Sequence, residues 1–249
     1  MPAAMKSRVL LGIALLALAG CTCFRTNPLE LNRGAVVLVF DTRTAGNLKA
    51  LRQTLARYDA RATVFVSGQI QARRAAELQD LCSEGHEIGL AGLKGVDARS
   101  YSRMYGPEKY FQDEILAQVL GAKRYGLDAR YYLLPQFYEK KSAGPTVPSM
   151  LVSKGFERVV QMRDEKVAPS AWTAERLSKP ILPAYALTTN ALDRSLVAEL
   201  AAHNKILIVA PDRRVLPDLL DVVRAHGVPF ATFGDIPRHG LQIPNSPHK

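Results

Sequence analysis

A chain of the α/β class, folding as a (β/α) barrel with about seven to eight parallel strands inside a ring of helices, is predicted by three observations. From Ala35 onward, short apolar runs alternate with amphipathic stretches, the order expected of a parallel sheet whose strands are joined and covered by helices. The apolar runs number eight, and a chain of this length accommodates that many parallel strands best as a closed or nearly closed barrel. Gly85, Gly126, Gly155 and Gly227 each fall just past a helical pattern, where a left-handed cap is wanted.

Taken in order, Val36–Phe40 is the first strand, and the amphipathic stretch Leu48–Tyr58 is the helix after it. Ala62–Val66 and Glu87–Gly89 are the next strands, separated by the helical run Ala72–Ser83 with Gly85 as its stop. Lys109–Tyr125, stopped by Gly126, leads into the strand Tyr131–Leu134. Val147–Lys154, stopped by Gly155, precedes the strand Arg158–Met162. The strands Ile181–Tyr185 and Ile206–Ala210 enclose the helix Leu192–Asn204, and Leu216–His226, stopped by Gly227, leads to Phe230–Thr232. Thr22–Arg33 has no periodic pattern and contains Asn27-Pro28, so it reads as a spacer, and Asn245–Lys249 should fray.

The start of the chain has a different logic. Lys6 and Arg8 precede the apolar stretch Val9–Ala17, which is too short to span a bilayer and ends in small residues. That is the layout of a secretory signal, with Met1 or Met5 as its start. Leu18-Ala19-Gly20-Cys21 resembles a bacterial lipobox. The resemblance implies removal of residues 1–20 and acylation of Cys21, which then becomes the first residue. Lipid would anchor the protein to a membrane outside the cytoplasm, and Thr22 after the cysteine favours the outer membrane where the organism has one. The expected organisation is a signal over 1–20, a lipidated spacer over 21–34, a barrel over 35–236 and a tail over 237–249.

About 229 residues remain after such cleavage, enough for one large α/β domain or two small ones. Hydrophobic content of 47% supplies a core, and no later run of about 18 apolar residues offers a spanning helix. The net charge of +10 falls by two with the loss of Lys6 and Arg8. A basic surface outside the cytoplasm points to anionic envelope polymers, phospholipid or acidic glycans. The basic residues are dispersed and carry no aromatic interleaving, which argues against a nucleic-acid partner. Three cysteines do not make a disulfide framework. Cys23 and Cys82 could pair in an oxidising compartment, but Cys82 lies in a helical run where a small buried hydrophobe is expected.

A parallel barrel places its chemistry at the carboxyl ends of its strands. Here those positions hold Asp41, Leu90–Gly95, Pro135–Phe137, Arg163-Asp164 and Pro211-Asp212. Val37–Asp41, Ala62–Gly68 (Ala-Thr-Val-Phe-Val-Ser-Gly) and Glu84–Gly89 (Glu-Gly-His-Glu-Ile-Gly) together resemble the polysaccharide deacetylase, or NodB-homology, family. The likeness continues through Gly126, Pro135, Lys154-Gly155-Phe156 and Ala225–Val228.

The resemblance implies a distorted barrel that removes acetyl groups from N-acetylated sugars. It also implies a divalent metal held by two histidines and an aspartate, with a second aspartate as general base and a late histidine as general acid. Asp41 matches the base and is the only retained family site position. Thr42 stands at the metal-binding aspartate, Ala91 and Gly95 at the two histidines, Leu133 at an arginine beside the base, and Pro211 at the late histidine. A catalytic zinc needs about three protein ligands with nitrogen or oxygen donors. Alanine and glycine offer none, and a threonine hydroxyl is a poor one, so no metal cofactor is expected.

Other residues carry weaker readings. His86 belongs to a structural turn; His203 and His226 face away from the strand ends, and His239 and His248 lie in the tail. Asp41, Asp97, Asp164 and Asp212 could meet above the barrel, although acidic residues after strands also cap helices. Phe137 and Tyr138 beyond the fourth strand are candidates to stack on sugar rings, with Lys140-Lys141 attracting anions and Asp212 as a polar contact. Trp172 lies in a loop as packing or platform, and of Tyr131 and Tyr132 one is core. The expectation is an envelope lipoprotein with a non-catalytic carbohydrate-binding or scaffold barrel. Two alternatives stay open: an active amide hydrolase using Asp41 and an unrecognised metal such as zinc, and a purely structural lipoprotein.

Overall fold

The computed structural model describes residues 34–134, 146–163, 168–177, 179–188 and 194–236. Cys21, Cys23, Phe137, Tyr138, Lys140, Lys141 and Asp164 lie outside the described residues, and so do the lipobox and tail readings. Eight strands occur where the apolar runs predict them: β1 (Ala35–Asp41), β2 (Thr63–Val66), β3 (Glu87–Leu90), β4 (Tyr131–Leu134), β5 (Arg158–Arg163), β6 (Ile181–Leu187), β7 (Ile206–Pro211) and β8 (Phe230–Ala231). All their pairings are parallel, running β2-β3-β4-β5-β6-β7-β1, and β1 pairs with β2 to close a seven-stranded barrel. β1 is the hinge of the closure. Its residues 35–38 pair with β7, while on the other edge Val39–Asp41 pair with β2 and Val36-Val37 with the extra strand β8.

Alternation along β1 shows why a wholly apolar run is required. Ala35, Val37 and Val39 belong to the cluster inside the barrel, with Phe65, Leu133, Val160 and Ile208. Val36, Leu38 and Phe40 point outward under the helices. By the same period of two, Asp41 continues the inward row at the strand's carboxyl end.

The helices, α1 (Leu48–Arg57), α2 (Ala72–Ser83), α3 (Ala98–Tyr105), α4 (Pro107–Tyr110), α5 (Leu116–Arg124), α6 (Val147–Ser153), α7 (Ala174–Leu177), α8 (Arg194–His203) and α9 (Leu216–Ala225), lie between the strands. α4 and α5 are joined through a π-helical turn, Phe111–Ile115. The four stop glycines all have positive φ, between 65° and 97°.

Two helices depart from the expectation. α3 falls outside the predicted helices, because it buries only Ala98 and carries no apolar stripe. α7 has four residues, too few for a period.

The foot of the barrel is plugged. Phe233 and Ile236 are buried in the interior cluster with Leu177, and Trp172 packs against it. Trp172 bridges antiparallel to Ile206, at the start of β7, and its ring carries Arg176 at 3.8 Å. Trp172 is therefore packing at the end remote from the strand tips, not a platform there. Arg158, 2% exposed, ties the same plug down by donating to the carbonyls of Leu177 (2.5 Å) and Lys179 (3.0 Å).

Candidate functional site

A cavity of about 820 Å³ opens at the carboxyl ends of β1, β4, β5, β6 and β7. It brings together Asp41, Leu133, Pro211 and Asp212, four of the positions that the sequence singles out. The remaining metal-ligand positions, Thr42, Ala91 and Gly95, are not among its lining. Thr42 points the other way and is buried, its hydroxyl accepting from the Ser67 amide at 3.0 Å.

Asp41 is held by its own strand end and by β2. Oδ1 accepts from the amide of Arg43 (2.9 Å) and from the Ser67 hydroxyl (2.5 Å). Oδ2 accepts from Nε (3.1 Å) and Nη2 (2.9 Å) of Arg43. A carboxylate has about four lone-pair directions, and here each is filled. The carboxylate closes a turn with Arg43, but it does not cap the next helix. Asn47 does that, its side chain accepting from the amides of Lys49 and Ala50.

Arg43 lies against one of these positions. Gly95 has φ of +71°, and a Cβ built on it would lie 1.7 Å from Nη1 of Arg43. The guanidinium therefore occupies the space of a residue-95 side chain while paired to Asp41. Among the described residues, those at the positions matched to the family's metal ligands do not fit a divalent ion. Ala91 and Gly95 bring no donor, the Thr42 hydroxyl is engaged, and the Asp41 carboxylate already faces a fixed cation. Leu133 and Pro211 bring neither charge nor proton to the cavity wall.

The segment after β3 is secured from beneath by residues that sequence reasoning missed. Glu114, 1% exposed on the π turn, accepts through Oε2 from the amides of Lys94 (2.8 Å) and Gly95 (3.1 Å). Gln118, fully buried on α5, accepts from the Gly92 amide (3.0 Å). It donates to the carbonyls of Val66 (3.1 Å), Gly68 (2.8 Å) and Gly92 (3.0 Å). The Tyr110 and Tyr132 hydroxyls meet at 3.2 Å below Gly92. Burial pushes Tyr110 up to about 12 and Tyr132 upward too. The π turn shifts the register of the helix between Tyr110 and Gln118, a device that often accompanies functional loops.

The other candidates disperse. Asp97 caps α3, accepting from the amides of Arg99 and Ser100. Asp212 accepts from the Arg214 amide at 3.0 Å at the cavity rim. Of the four carboxylates proposed to meet, the described residues bring only Asp41 and Asp212 to one cavity. His86 is structural, its Nδ1 accepting from the Ala62 amide at 3.2 Å, and burial lowers its pKa to about 4. Beside it Glu87 is raised to about 7, chiefly by burial; its carboxyl accepts from the Gly234 amide at 2.9 Å. Tyr131 and Tyr132 are both core, one inside the barrel and one under the helices.

Solved structures share this architecture. The carbohydrate-esterase domain of a xylanase from the hindgut metagenome of Trinervitermes trinervoides superposes with a TM-score of 0.52 at 13% identity, covering 82% of this chain and 89% of that one. A polysaccharide deacetylase of Bacillus cereus gives 0.50 at 19%, covering 80% and 92%. A family 4 carbohydrate esterase of Streptomyces lividans, solved with acetate, gives 0.51 at 15%, covering 80% and 92%. Identities this low establish the fold alone, and no curated protein matches the chain. The class so defined is the barrel of the family 4 carbohydrate esterases. Residues 29–135 match the family described as polysaccharide deacetylase.

Proposed function

We propose that the protein is a cell-envelope lipoprotein whose deacetylase-like barrel binds carbohydrate without hydrolysing it. The saturated Asp41 carboxylate carries this reading. A general base needs a lone pair within hydrogen-bond reach of the water that it activates, and Arg43 and Ser67 take all four on Asp41. With Pro211 at the general-acid position and no donors at residues 91 and 95, neither half of the deacetylation is served. What the site keeps is a cavity of about 820 Å³, within the range that encloses small ligands.

The purified chain, incubated with N-acetylated oligosaccharides and each of zinc, cobalt and manganese, should release no acetate above a no-protein control. The same oligosaccharides, or others from the envelope, should bind saturably by calorimetry. Acetate release that disappears in Asp41→Asn would restore the hydrolase. The envelope address rests on Leu18–Cys21, and Cys21→Ser should abolish acyl labelling and membrane association together. Retention of both would end the lipoprotein reading.

A further inference from the structure

We propose that the groove between the end of β1 and the start of α2 is an anion site for a phosphate group, with Arg73, Arg74 and the Thr42 hydroxyl as its donors. It shares no lining residue with the strand-end cavity and does not depend on the glycan reading. The groove has a volume of about 390 Å³, and Thr42, Asn47, Gln71, Arg73, Arg74 and Glu77 supply the polar side chains of its walls. Every one of its lining residues lies in the unbroken described stretch 34–134.

Two donors in these walls are buried without an acceptor. Thr42 is 7% exposed, and its Oγ1 accepts from the Ser67 amide at 3.0 Å. The hydroxyl proton is left to donate, and no acceptor meets it among the described residues. Nε of Arg74 is likewise buried and donates to nothing. Burying a charged donor unpaired is costly, and an anion seated against the guanidinium offsets that cost. Arg73 adds an exposed guanidinium, whose Nε lies 3.9 Å from Glu77, one turn along the helix; that is too long for a hydrogen bond. Asn47 is turned to its own helix, where its side chain accepts from the amides of Lys49 and Ala50. α2 begins at the groove with no side-chain cap, which adds the positive end of a twelve-residue helix to the same region. Donors thus come from two sides, the β1 end and the first turn of α2. A tetrahedral oxyanion accepts in several directions and suits that arrangement better than a flat carboxylate, which presents one edge.

A chain of net charge +10 also attracts anions without any site, so the test separates the two. The full chain in neutral detergent is titrated at physiological salt with inorganic phosphate, glycerol 3-phosphate, phosphatidate dissolved in the detergent, and acetate. Phosphate should bind saturably at one site, and acetate should neither bind nor compete. Arg74→Gln should weaken phosphate about tenfold, the loss of one charge-assisted hydrogen bond. Thr42→Val changes no charge and should weaken it about fivefold, whereas Thr42→Ser keeps the hydroxyl and should bind as the wild type does. The double variant Arg103→Gln/Lys123→Gln, changed at exposed outer-helix positions, should leave binding unaltered; melting curves confirm that each variant is folded. Whichever of the soluble ester and the lipid binds more tightly names the source of the phosphate, and saturable binding of either that is lost in Arg74→Gln supports the site. No saturable binding, equal binding of acetate, or losses in the double variant equal to those in Arg74→Gln would overturn the assignment. Thr42→Ser as weak as Thr42→Val would remove the hydroxyl from it.

Discussion

Replacing Gly95 by alanine tests whether Arg43 has taken the space of a metal-ligand side chain. At φ of +71° an alanine carries a left-handed backbone penalty of about 1 kcal/mol. Its Cβ would also stand 1.7 Å from Nη1 of Arg43, so the guanidinium must swing outward and release Asp41. The arginine side chain is 40% exposed, which makes that motion easy and the pair partly screened. Charge-assisted hydrogen bonds of roughly 1.5–3 kcal/mol are therefore discounted to about 1 kcal/mol here. Gly95→Ala should then cost about 2 kcal/mol in the wild type and about 1 kcal/mol in an Arg43→Ala background, a coupling of about 1 kcal/mol. Urea unfolding followed by the fluorescence of Trp172, the one tryptophan, measures all four corners of the cycle. The slope with denaturant should be shared by the four proteins. Equal cost of Gly95→Ala in both backgrounds would show that Arg43 does not occupy that space, and the account of the lost metal place would fall with it.

Three further outcomes follow from the same geometry. Asp41→Ala leaves the Arg43 guanidinium and the Ser67 hydroxyl without their acceptor and should cost roughly 2–3 kcal/mol by the same denaturation assay. A loss below 0.5 kcal/mol would mean that the four contacts are not held in solution. Gln118→Leu removes the side-chain partner of the Gly68 carbonyl and the Gly92 amide, while the Val66 and Gly92 carbonyls keep their backbone partners, and should cost about 2–3 kcal/mol. The amides of Gly92 to Gly95 should then exchange hydrogen much faster, and unchanged protection would discount the clamp.

The pH dependence has opposing parts. Glu87, raised from 4.5 to about 7, contributes stability that is full below pH 4.5 and lost as pH rises through 7. His86, lowered from 6.5 to about 4, contributes stability that is full above pH 6.5 and lost as pH falls through 4. Between pH 4.5 and 6.5 the two slopes are each about 1.4 kcal/mol per pH unit and oppose one another. His86→Gln should therefore lose stability as pH rises through that window, and Glu87→Gln as pH falls. Identical pH profiles for the two variants would contradict both assignments.

How much of this was legible in the sequence depends on the distance over which each signal acts. Strands β1 to β8 are written in contiguous apolar runs and the stops in single glycines, so local pattern suffices for them. Asp41, Leu133, Pro211 and Asp212 converge because position after a strand is itself a local property, and closure of the barrel brings those positions together. Asp97 shares that local signature yet caps a helix instead, since a short acidic side chain after a strand satisfies either role.

Arg43 gives no sign in the sequence for a different reason. Its guanidinium acts on Asp41 two residues back and also on Gly95, which is fifty-two positions away and has no side chain to signal the contact. Glu114 and Gln118 are hidden by spacing. Polar residues four apart on a helix suggest a solvated face, and the π turn between Tyr110 and Leu116 rotates them inward instead. Both failures share one cause. Arg43 fills space, and Glu114 and Gln118 satisfy loop amides, and those are relations between elements that no single element records. Metal ligands announce themselves by residue type, whereas a cation supplied by the chain shows only once the glycine opposite it is seen to be empty.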